Sequence, residues 1–148
     1  MNELGWFTDQ RVELLGGEIV EMPSPGNPPC VSTDNMAELL RDVFPKDYFW
    51  VRMQMPLDLG LDSEPQPGVA VVKGAKATFI AHPTTALLVV EISDTTLGID
   101  RGRKMSLYAR GGIEDYWIVN LVDRCLEVHR RPRCQTRTSS SVFAIAFS

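Results

Sequence analysis

The run Leu87-Leu88-Val89-Val90-Glu91-Ile92 constrains the fold of this chain more than any other stretch of its sequence. All of its residues except Glu91 are apolar, and apolar and polar positions do not alternate. An unbroken apolar run of this length is typical of a strand buried on both faces of a sheet. The run therefore predicts a central strand with other elements covering it on each side.

The rest of the chain predicts a hairpin, two helices and four further strands around this central strand. The hairpin turns at Gly16-Gly17, and the first helix is indicated by an apolar stripe at i, i+3, i+4 and i+7 that follows N-capping residues at 32–35. The second helix is predicted to begin at Asp100 as its N-cap and to end at Gly111-Gly112. The predicted segments are 12–15 and 18–22 for the hairpin, Met36-Leu39-Leu40-Val43 for the stripe, and 51–57, 69–72, 116–119 and 126–128 for the strands.

This order of elements predicts an α/β (α+β) fold with a mixed β-sheet flanked by helices, in a single domain. A chain of 148 residues suits one domain. Residues 1–130 form the predicted core, and residues 131–148 a divergent C-terminal tail that is either a last edge strand or a terminus unrelated to the fold. His129 alternates with Val128 and is expected at the surface.

Composition excludes several classes of protein. With 44% hydrophobic and 23% charged residues, the chain is not of a disordered type. No stretch is apolar enough to span a membrane, the N-terminus lacks the layout of a signal peptide, and Cys30, Cys125 and Cys134 lack the spacing of a zinc site or a disulfide framework. We therefore expect a cytoplasmic protein.

The charge of the chain is unevenly distributed, although the net charge is −4. Residues 1–64 contain 12 acidic and 4 basic residues, whereas residues 65–148 contain 7 acidic and 11 basic ones. An overall pI near 5.1 argues against passive coating of nucleic acid. Any nucleic acid is therefore expected to contact a local patch.

Glu91 is the residue most informative about chemistry, because a lone carboxylate in an apolar strand is unfavourable unless it is paired or binds a metal. Ser93 points to the same side of the strand, and Lys104 follows early in the second helix after a short loop. One interpretation is a hydrolytic centre in which Glu91 binds Mg²⁺ and Lys104 stabilises the attacking water or the developing phosphoryl charge. The other is a salt bridge from Glu91 to Lys104 or Arg103 without catalysis.

A metal site for phosphodiester hydrolysis usually needs a second acid, and its natural place is the start of the neighbouring strand. There the sequence reads Pro67-Gly68, and glycine has no side chain with which to bind an ion. Glu64 lies upstream and is an alternative metal ligand that would have to reach the site through the loop. Glu18, on the first hairpin, is a supporting residue if the hairpin folds over the cleft.

Several blocks of the sequence together resemble the Uma-type putative restriction endonuclease family, a branch of the PD-(D/E)XK nuclease superfamily. The resemblance extends over about residues 10–130. The blocks are Val12-Glu13-Leu14-Leu15-Gly16-Gly17-Glu18-Ile19-Val20-Glu21-Met22, the Pro67 strand, Leu88-Val89-Val90-Glu91-Ile92-Ser93, Asp100-Arg101-Gly102-Arg103-Lys104 and 108–119.

The resemblance implies a restriction-endonuclease-like core and Mg²⁺-dependent (or Mn²⁺-dependent) cleavage of DNA. It implies a metal-binding role for Glu91, places Ser93 where many relatives keep a lysine, and assigns the displaced lysine to Lys104. The family has Pro-Asp where this chain has Pro67-Gly68, so the first metal ligand is missing.

Two classes of function follow from the resemblance and its departure at Gly68. The first is an endonuclease with impaired activity, and the second is a catalytically inactive nuclease fold that binds nucleic acid or a protein partner. A decayed copy without function is a third alternative. The resemblance leaves open a homodimer, since many nucleases that cut both strands act as dimers.

Overall fold

The computed structural model describes residues 11–60, 62–132 and 141–146. Eight strands and the helices between them follow one another along this part of the chain. The elements are β1 (Arg11–Leu15), β2 (Glu18–Met22), α1 (Asn27–Val43), β3 (Phe49–Met53), β4 (Val69–Lys73), β5 (Leu88–Ser93), α2 (Leu97–Ile99), a π-helical turn (Asp100–Lys104), α3 (Met105–Arg110), β6 (Asp115–Asn120), β7 (Cys125–Arg130) and β8 (Ser141–Ala146), with a short 3₁₀ turn at Lys76–Thr78.

Six strands form one mixed sheet in the order β3-β4-β5-β6-β7-β8, and β1 and β2 form a separate hairpin. β5 pairs in parallel with β6, whereas the other neighbouring strands are antiparallel. The parallel pair is joined through α2, the π-helical turn and α3, as a parallel connection requires a crossover. The predicted fold class, a mixed sheet flanked by helices, is confirmed.

β5 is buried on both faces of the sheet, as its apolar run predicts. Val89 packs with Leu15, Tyr108 and Tyr116 on the face covered by the hairpin and α3. Val90 packs on the opposite face in the cluster under α1. Each face of β5 therefore has its own hydrophobic core.

Helix α1 differs from its prediction in where it begins, and only part of its predicted apolar stripe faces the core. It begins at Asn27, five residues before the predicted caps, because prolines are tolerated in the first turn, where backbone N–H groups have no helical partner. Leu39 and Val43 of the predicted stripe are 55% and 62% exposed. Leu40 of the stripe is buried as predicted, Met36 packs partly buried against the same core, and the other buried residues of the helix are Pro29, Thr33 and Ala37.

The second helical segment begins at Leu97, so Asp100 lies inside it and is not its N-cap. It ends at Gly111 as predicted. β3 ends at Met53, and the following Gln54 has a φ of 50°. That left-handed conformation does not continue a strand, which makes the predicted strand 51–57 too long.

The C-terminal tail contributes one edge strand to the sheet. β8 pairs with β7 along its whole length, from Cys125↔Ala146 to Arg130↔Ser141, so the edge strand is the alternative that this segment adopts. The expectation that His129 is exposed is wrong, since only 5% of it is exposed. Its ring lies beside the core residue Tyr116, with centroids 6.1 Å apart, and next to Glu127 on the covered face of the sheet.

Some predictions concern residues that lie outside the described part of the chain. The N-terminal layout at residues 1–10 and Cys134 lie outside the described residues, and the boundary between core and tail at residue 130 stays a prediction.

Among the described residues, no helix combines the length and apolar character needed to cross a bilayer.

Candidate active site at the end of strand β5

Glu91 and Lys104 meet at the carboxyl end of β5. Lys104 is the last residue of the π-helical turn, and its Nζ lies 3.1 Å from Oε1 of Glu91. Both residues are buried, with 4% of Glu91 and 1% of Lys104 exposed. The contact expected from the short loop between β5 and the second helical segment is therefore present.

Two further carboxylates surround Lys104, and our sequence analysis missed both as site residues. Oε2 of Glu13 lies 3.1 Å and Oδ1 of Asp100 lies 3.8 Å from Nζ of Lys104. Asp100 precedes Lys104 by four residues, a spacing that brings helical side chains together. The only local signal for Glu13 is that it shares the buried face of β1 with Leu15.

Glu13 also connects the hairpin to the loop that leads into β4. Its Oε1 accepts a hydrogen bond of 2.6 Å from the backbone N–H of Gln66, two residues before Gly68. Arg11 donates to the carbonyl of Gln66 at 3.1 Å. Glu13 thus holds Lys104 with one oxygen and the entry to β4 with the other.

The excess of carboxylates over cations perturbs the ionisation of this cluster. Burial, together with Asp100 and Glu13, raises the pKa of Glu91 to about 7, against the lowering effect of Lys104. Burial would lower the pKa of Lys104, but the surrounding carboxylates outweigh it and raise that pKa. Lys104 therefore stays charged at neutral pH, whereas Glu91 is near its midpoint.

Two tyrosines provide hydrogen-bond donors beneath the cluster. The hydroxyl of Tyr108 donates to Oε1 of Glu91 at 2.7 Å, and that of Tyr116 donates to the backbone carbonyl of Asp100 at 2.8 Å. Burial raises the pKa of both hydroxyls well above the ordinary value, so they remain protonated donors.

Ser93 contacts Asp100 and not the Glu91–Lys104 pair. Its hydroxyl donates to Oδ2 of Asp100 at 2.5 Å, and the hydroxyl of Thr96 donates to the same oxygen at 2.7 Å. Oδ1 of Asp100 is buried and has no hydrogen-bond partner among the described residues. Ser93 therefore acts on the cluster through Asp100.

The remaining predicted site residues lie apart from this cluster or lack a side chain. The side chain of Glu18 is 73% exposed and pairs with Arg103 at 2.9 Å. Glu64 is exposed, and its backbone N–H donates to the carbonyl of Leu14 at 2.8 Å. Gly68 lies one residue before the Val69↔Val90 pair, beside Glu91 on the adjacent strand.

The backbone at Gly68 leaves little room for a side chain. A Cβ atom there would lie 3.2 Å from the carbonyl oxygen of Val90 and 3.3 Å from Cγ1 of Ile92. Both distances are tighter than nine in ten real Cβ contacts, so these neighbouring atoms of β5 would have to give by a few tenths of an ångström. The position expected to supply a metal ligand therefore lacks a carboxylate and is tightly packed against β5.

A cavity of about 100 Å³ opens beside Glu91 and Lys104. It lies between the loop that precedes α1 and the segment that follows β5. Besides Glu91 and Lys104, it is lined by Arg11, Met22, Pro23, Ser24, Pro25, Gly26, Pro29, Ile92, Asp94, Thr95, Thr96 and Asp100. Solvent or a small charged group can therefore approach the buried pair from one side.

Comparison with known proteins assigns the chain to a family. The sequence profile described as "Uma2: Putative restriction endonuclease" matches residues 4–144, almost the whole chain. The chain belongs to the Uma2 family. No curated protein matches the sequence significantly.

A solved structure supports the Uma2 fold. It is the crystal structure of a putative nuclease belonging to DUF820 from Anabaena variabilis ATCC 29413, which superimposes with a TM-score of 0.70 at 15% sequence identity. The match covers 89% of this chain and 75% of the Anabaena chain. At this identity, the similarity shows the fold and not the activity.

The residues of this Uma2 member fit a divalent cation only in part. Glu91 faces the cavity, and none of the described residues donates a hydrogen bond to its Oε2. However, the described residues include no group of three or more His, Cys, Asp or Glu side chains arranged to hold an ion. Mg²⁺ is often held by one or two carboxylates, with water and substrate phosphate completing its coordination. Glu91 is the carboxylate of this site that could contribute to such a weakly held ion, and the site offers fewer protein ligands than a dedicated metal site.

Proposed function

We propose that this Uma2 protein is a Mg²⁺-dependent DNA endonuclease whose turnover is weakened by Gly68. The observation that carries the proposal is the contact between Glu91 and Lys104 at the edge of an open cavity, at the end of a central strand. A purely structural ion pair would account for the contact between Glu91 and Lys104. It would not explain why three carboxylates surround one ammonium group.

The charges around the cavity suit hydrolysis of a phosphodiester bond. Lys104 is held charged and in one place, so it can stabilise negative charge that develops on a phosphoryl group without rearranging. Glu91, with a pKa of about 7, can accept a proton near neutral pH or bind a cation in its ionised form. When bound, Mg²⁺ would supply Lewis-acid stabilisation and acidify a water molecule.

Gly68 is the reason to expect slow cleavage. The position that the family resemblance marks for a metal-binding aspartate provides no donor, and Glu91 is left as the protein ligand. Loss of a ligand weakens ion binding and with it several kcal/mol of charge stabilisation in the transition state, on the order of what a metal supplies.

A second function, binding of nucleic acid or a protein partner without cleavage, is favoured by one observation. Lys104 already contacts Glu91, Glu13 and Asp100, so its charge is compensated by the protein itself. If this compensation persists when DNA binds, little of the positive charge remains for a phosphoryl group.

Plasmid cleavage distinguishes the two functions. Supercoiled DNA is incubated with Mg²⁺ or Mn²⁺ and with the wild-type protein, Glu91→Gln, Gly68→Asp or Gly68→Ala. The last variant is the matched control, because it introduces the same Cβ atom without a carboxylate. We expect slow nicking by wild type, loss of nicking in Glu91→Gln, and faster nicking in Gly68→Asp than in Gly68→Ala.

Other outcomes assign the protein differently. Nicking by Gly68→Asp alone indicates a site disabled by the missing ligand. If no variant cleaves DNA while salt-dependent binding of DNA persists, the endonuclease proposal is wrong and the binding function is supported.

A further inference from the structure

The helical segment that carries Asp100 and Lys104 has little intrinsic stability, because its own residues favour a helix only weakly. Its middle part is a π-helical turn, a geometry that is rare and often occurs at functional sites. Gly98 and Gly102 lie within the segment, and glycine is a poor helix former. No side chain caps its beginning at Thr96. Contacts with the rest of the protein must therefore stabilise the turn.

One such contact joins the turn to strand β7 through Arg101 and Glu127. Nε of Arg101 lies 3.1 and 3.2 Å from the two carboxylate oxygens of Glu127, and Nη2 of Arg101 also donates to Oε1. A guanidinium that binds both oxygens of a carboxylate has a fixed orientation. The ion pair with Glu127 thus fixes the orientation of the Arg101 side chain, which directly follows Asp100 in the turn.

Glu127 is itself held rigidly on the sheet. Only 5% of it is exposed, Asn120 donates to its Oε1 at 3.1 Å, and Nε2 of His129 lies 3.3 Å from its Oε2. Burial would raise the pKa of Glu127, but the hydrogen bonds from these residues and Arg101 lower it. Glu127 therefore remains an anion aimed at Arg101.

The other side of the turn is attached to the hairpin. Arg103 donates to the carbonyl of Leu15 at 2.5 Å and to Glu18 at 2.9 Å. Because the Glu18 side chain is largely exposed, this ion pair is the weaker of the two. Arg101 and Arg103 hold the turn from opposite sides, while Asp100 and Lys104 are buried between them.

We propose that Glu127, acting through Arg101, is a positioning residue that keeps Lys104 beside Glu91. The proposal rests on the proposed function only for the role given to Lys104. The geometric claim, that the Arg101–Glu127 pair determines where the Lys104 amine lies, stands independently of cleavage.

Chemical labelling of Lys104 tests this claim without requiring catalysis. The rate of reductive methylation of Lys104 is measured by mass spectrometry relative to the exposed Lys73, together with hydrogen exchange of the 100–104 amides. In the wild-type protein, Lys104 should react far more slowly than Lys73, because it is 1% exposed and ion-paired. In Glu127→Gln, which keeps the size of the side chain and removes its charge, we expect Lys104 to react about tenfold faster.

Asp115→Asn is the matched control. It breaks the Arg130–Asp115 ion pair, which joins β7 to β6 and does not involve the turn. We expect this control to leave the Lys104 rate at its wild-type value, and Arg101→Lys, which keeps the charge without the forked geometry, to give an intermediate rate.

The proposal is overturned if Glu127→Gln labels Lys104 no faster than Asp115→Asn does. It is also overturned if all lysines and amides become reactive together in both Glu127→Gln and Arg101→Lys, because the pair then stabilises the whole fold and not the turn. A protein that never cleaves DNA, yet shows the selective increase at Lys104, refutes the proposed function and leaves this inference intact.

Discussion

At the scale of single residues, the site is defined by an imbalance of charge. Glu13, Glu91 and Asp100 all lie within 4 Å of the Lys104 amine, and the one further cation that close to any of them among the described residues is Arg11, 3.9 Å from Glu13. A buried cluster with more acids than bases keeps a proton or attracts a cation, since uncompensated buried charge is unfavourable. The raised pKa of Glu91 has burial as its largest cause, and the neighbouring carboxylates Asp100 and Glu13 add to it.

The pKa of Glu91 makes the stability of the protein depend on pH. The folded-state pKa of about 7 lies above the ordinary value of 4.5, so the folded protein binds this proton more tightly than the unfolded chain. The resulting stabilisation is complete below about pH 4.5 and is lost as the pH rises through 7. It corresponds to roughly 3 kcal/mol at about 1.4 kcal/mol per pKa unit.

Urea denaturation of the wild-type protein and Glu91→Gln between pH 4.5 and 8 measures this effect. We expect the free energy of unfolding of the wild type, relative to the variant, to fall across that range. Parallel pH profiles of the two proteins would contradict the raised pKa.

Removal of Glu13 should strongly destabilise the protein. Glu13→Ala takes one counter-charge from buried Lys104 and leaves the N–H of Gln66 without its acceptor, and breaking a buried ion pair typically costs about 3–5 kcal/mol. Glu21→Ala is the control, because Glu21 is exposed on the same hairpin. Equal midpoints of urea denaturation for the two variants would show that Glu13 does not anchor the site.

At the scale of elements, the sequence predicts a strand, turn or helix boundary correctly where neighbouring residues alone determine it. The unbroken apolar run of β5 and the glycines of the hairpin act through neighbouring residues, so these elements could be predicted. The start of α1 could not be predicted from Ser32, because Pro28 and Pro29 fit equally well in a loop or in a first helical turn.

The same reasoning explains which part of the site could be predicted. Glu91 and Lys104 are separated by a short loop, and their contact follows from the connection between β5 and the second helical segment. Glu13 comes from a hairpin outside the main sheet, so its approach to Lys104 depends on tertiary packing. His129 appeared exposed by alternation, but tertiary packing covers its face of the sheet, where it lies beside Tyr116 and Glu127.

The buried side of α1 can be tested with two adjacent leucines. Leu40 is 2% exposed, so Leu40→Ala should lower the free energy of unfolding by about 2–4 kcal/mol. Leu39 is 55% exposed, so Leu39→Ala should change it by less than about 0.5 kcal/mol. Denaturant titration of both variants checks the orientation of the helix, and a reversed order would contradict it.

At the scale of the whole molecule, the sheet extends beyond the elements that build the site. β8 pairs with the full length of β7, which carries Glu127 and His129. A strand with unpaired backbone groups invites pairing with other chains. By pairing with β7, the edge strand β8 therefore protects the strand that carries Glu127, the partner of Arg101.

Deletion of residues 133–148 should expose β7 and lower the stability of the protein. We expect a lower thermal midpoint and association that increases with protein concentration, measured by calorimetry and light scattering. Deletion of residues 147–148 alone, which leaves the pairing of β8 intact, is the control. A monomeric 1–132 protein with the wild-type midpoint would show that β8 contributes nothing.

The packing at Gly68 bears on how readily a carboxylate could be introduced beside Glu91. A single exchange to aspartate brings a Cβ atom against the backbone of Val90 as well as the side chain of Ile92. Trimming Ile92 removes one of these obstacles, but the carbonyl oxygen remains. A carboxylate beside Glu91 therefore depends on how far these neighbours on β5 can give, by a few tenths of an ångström, and not on residue 68 alone.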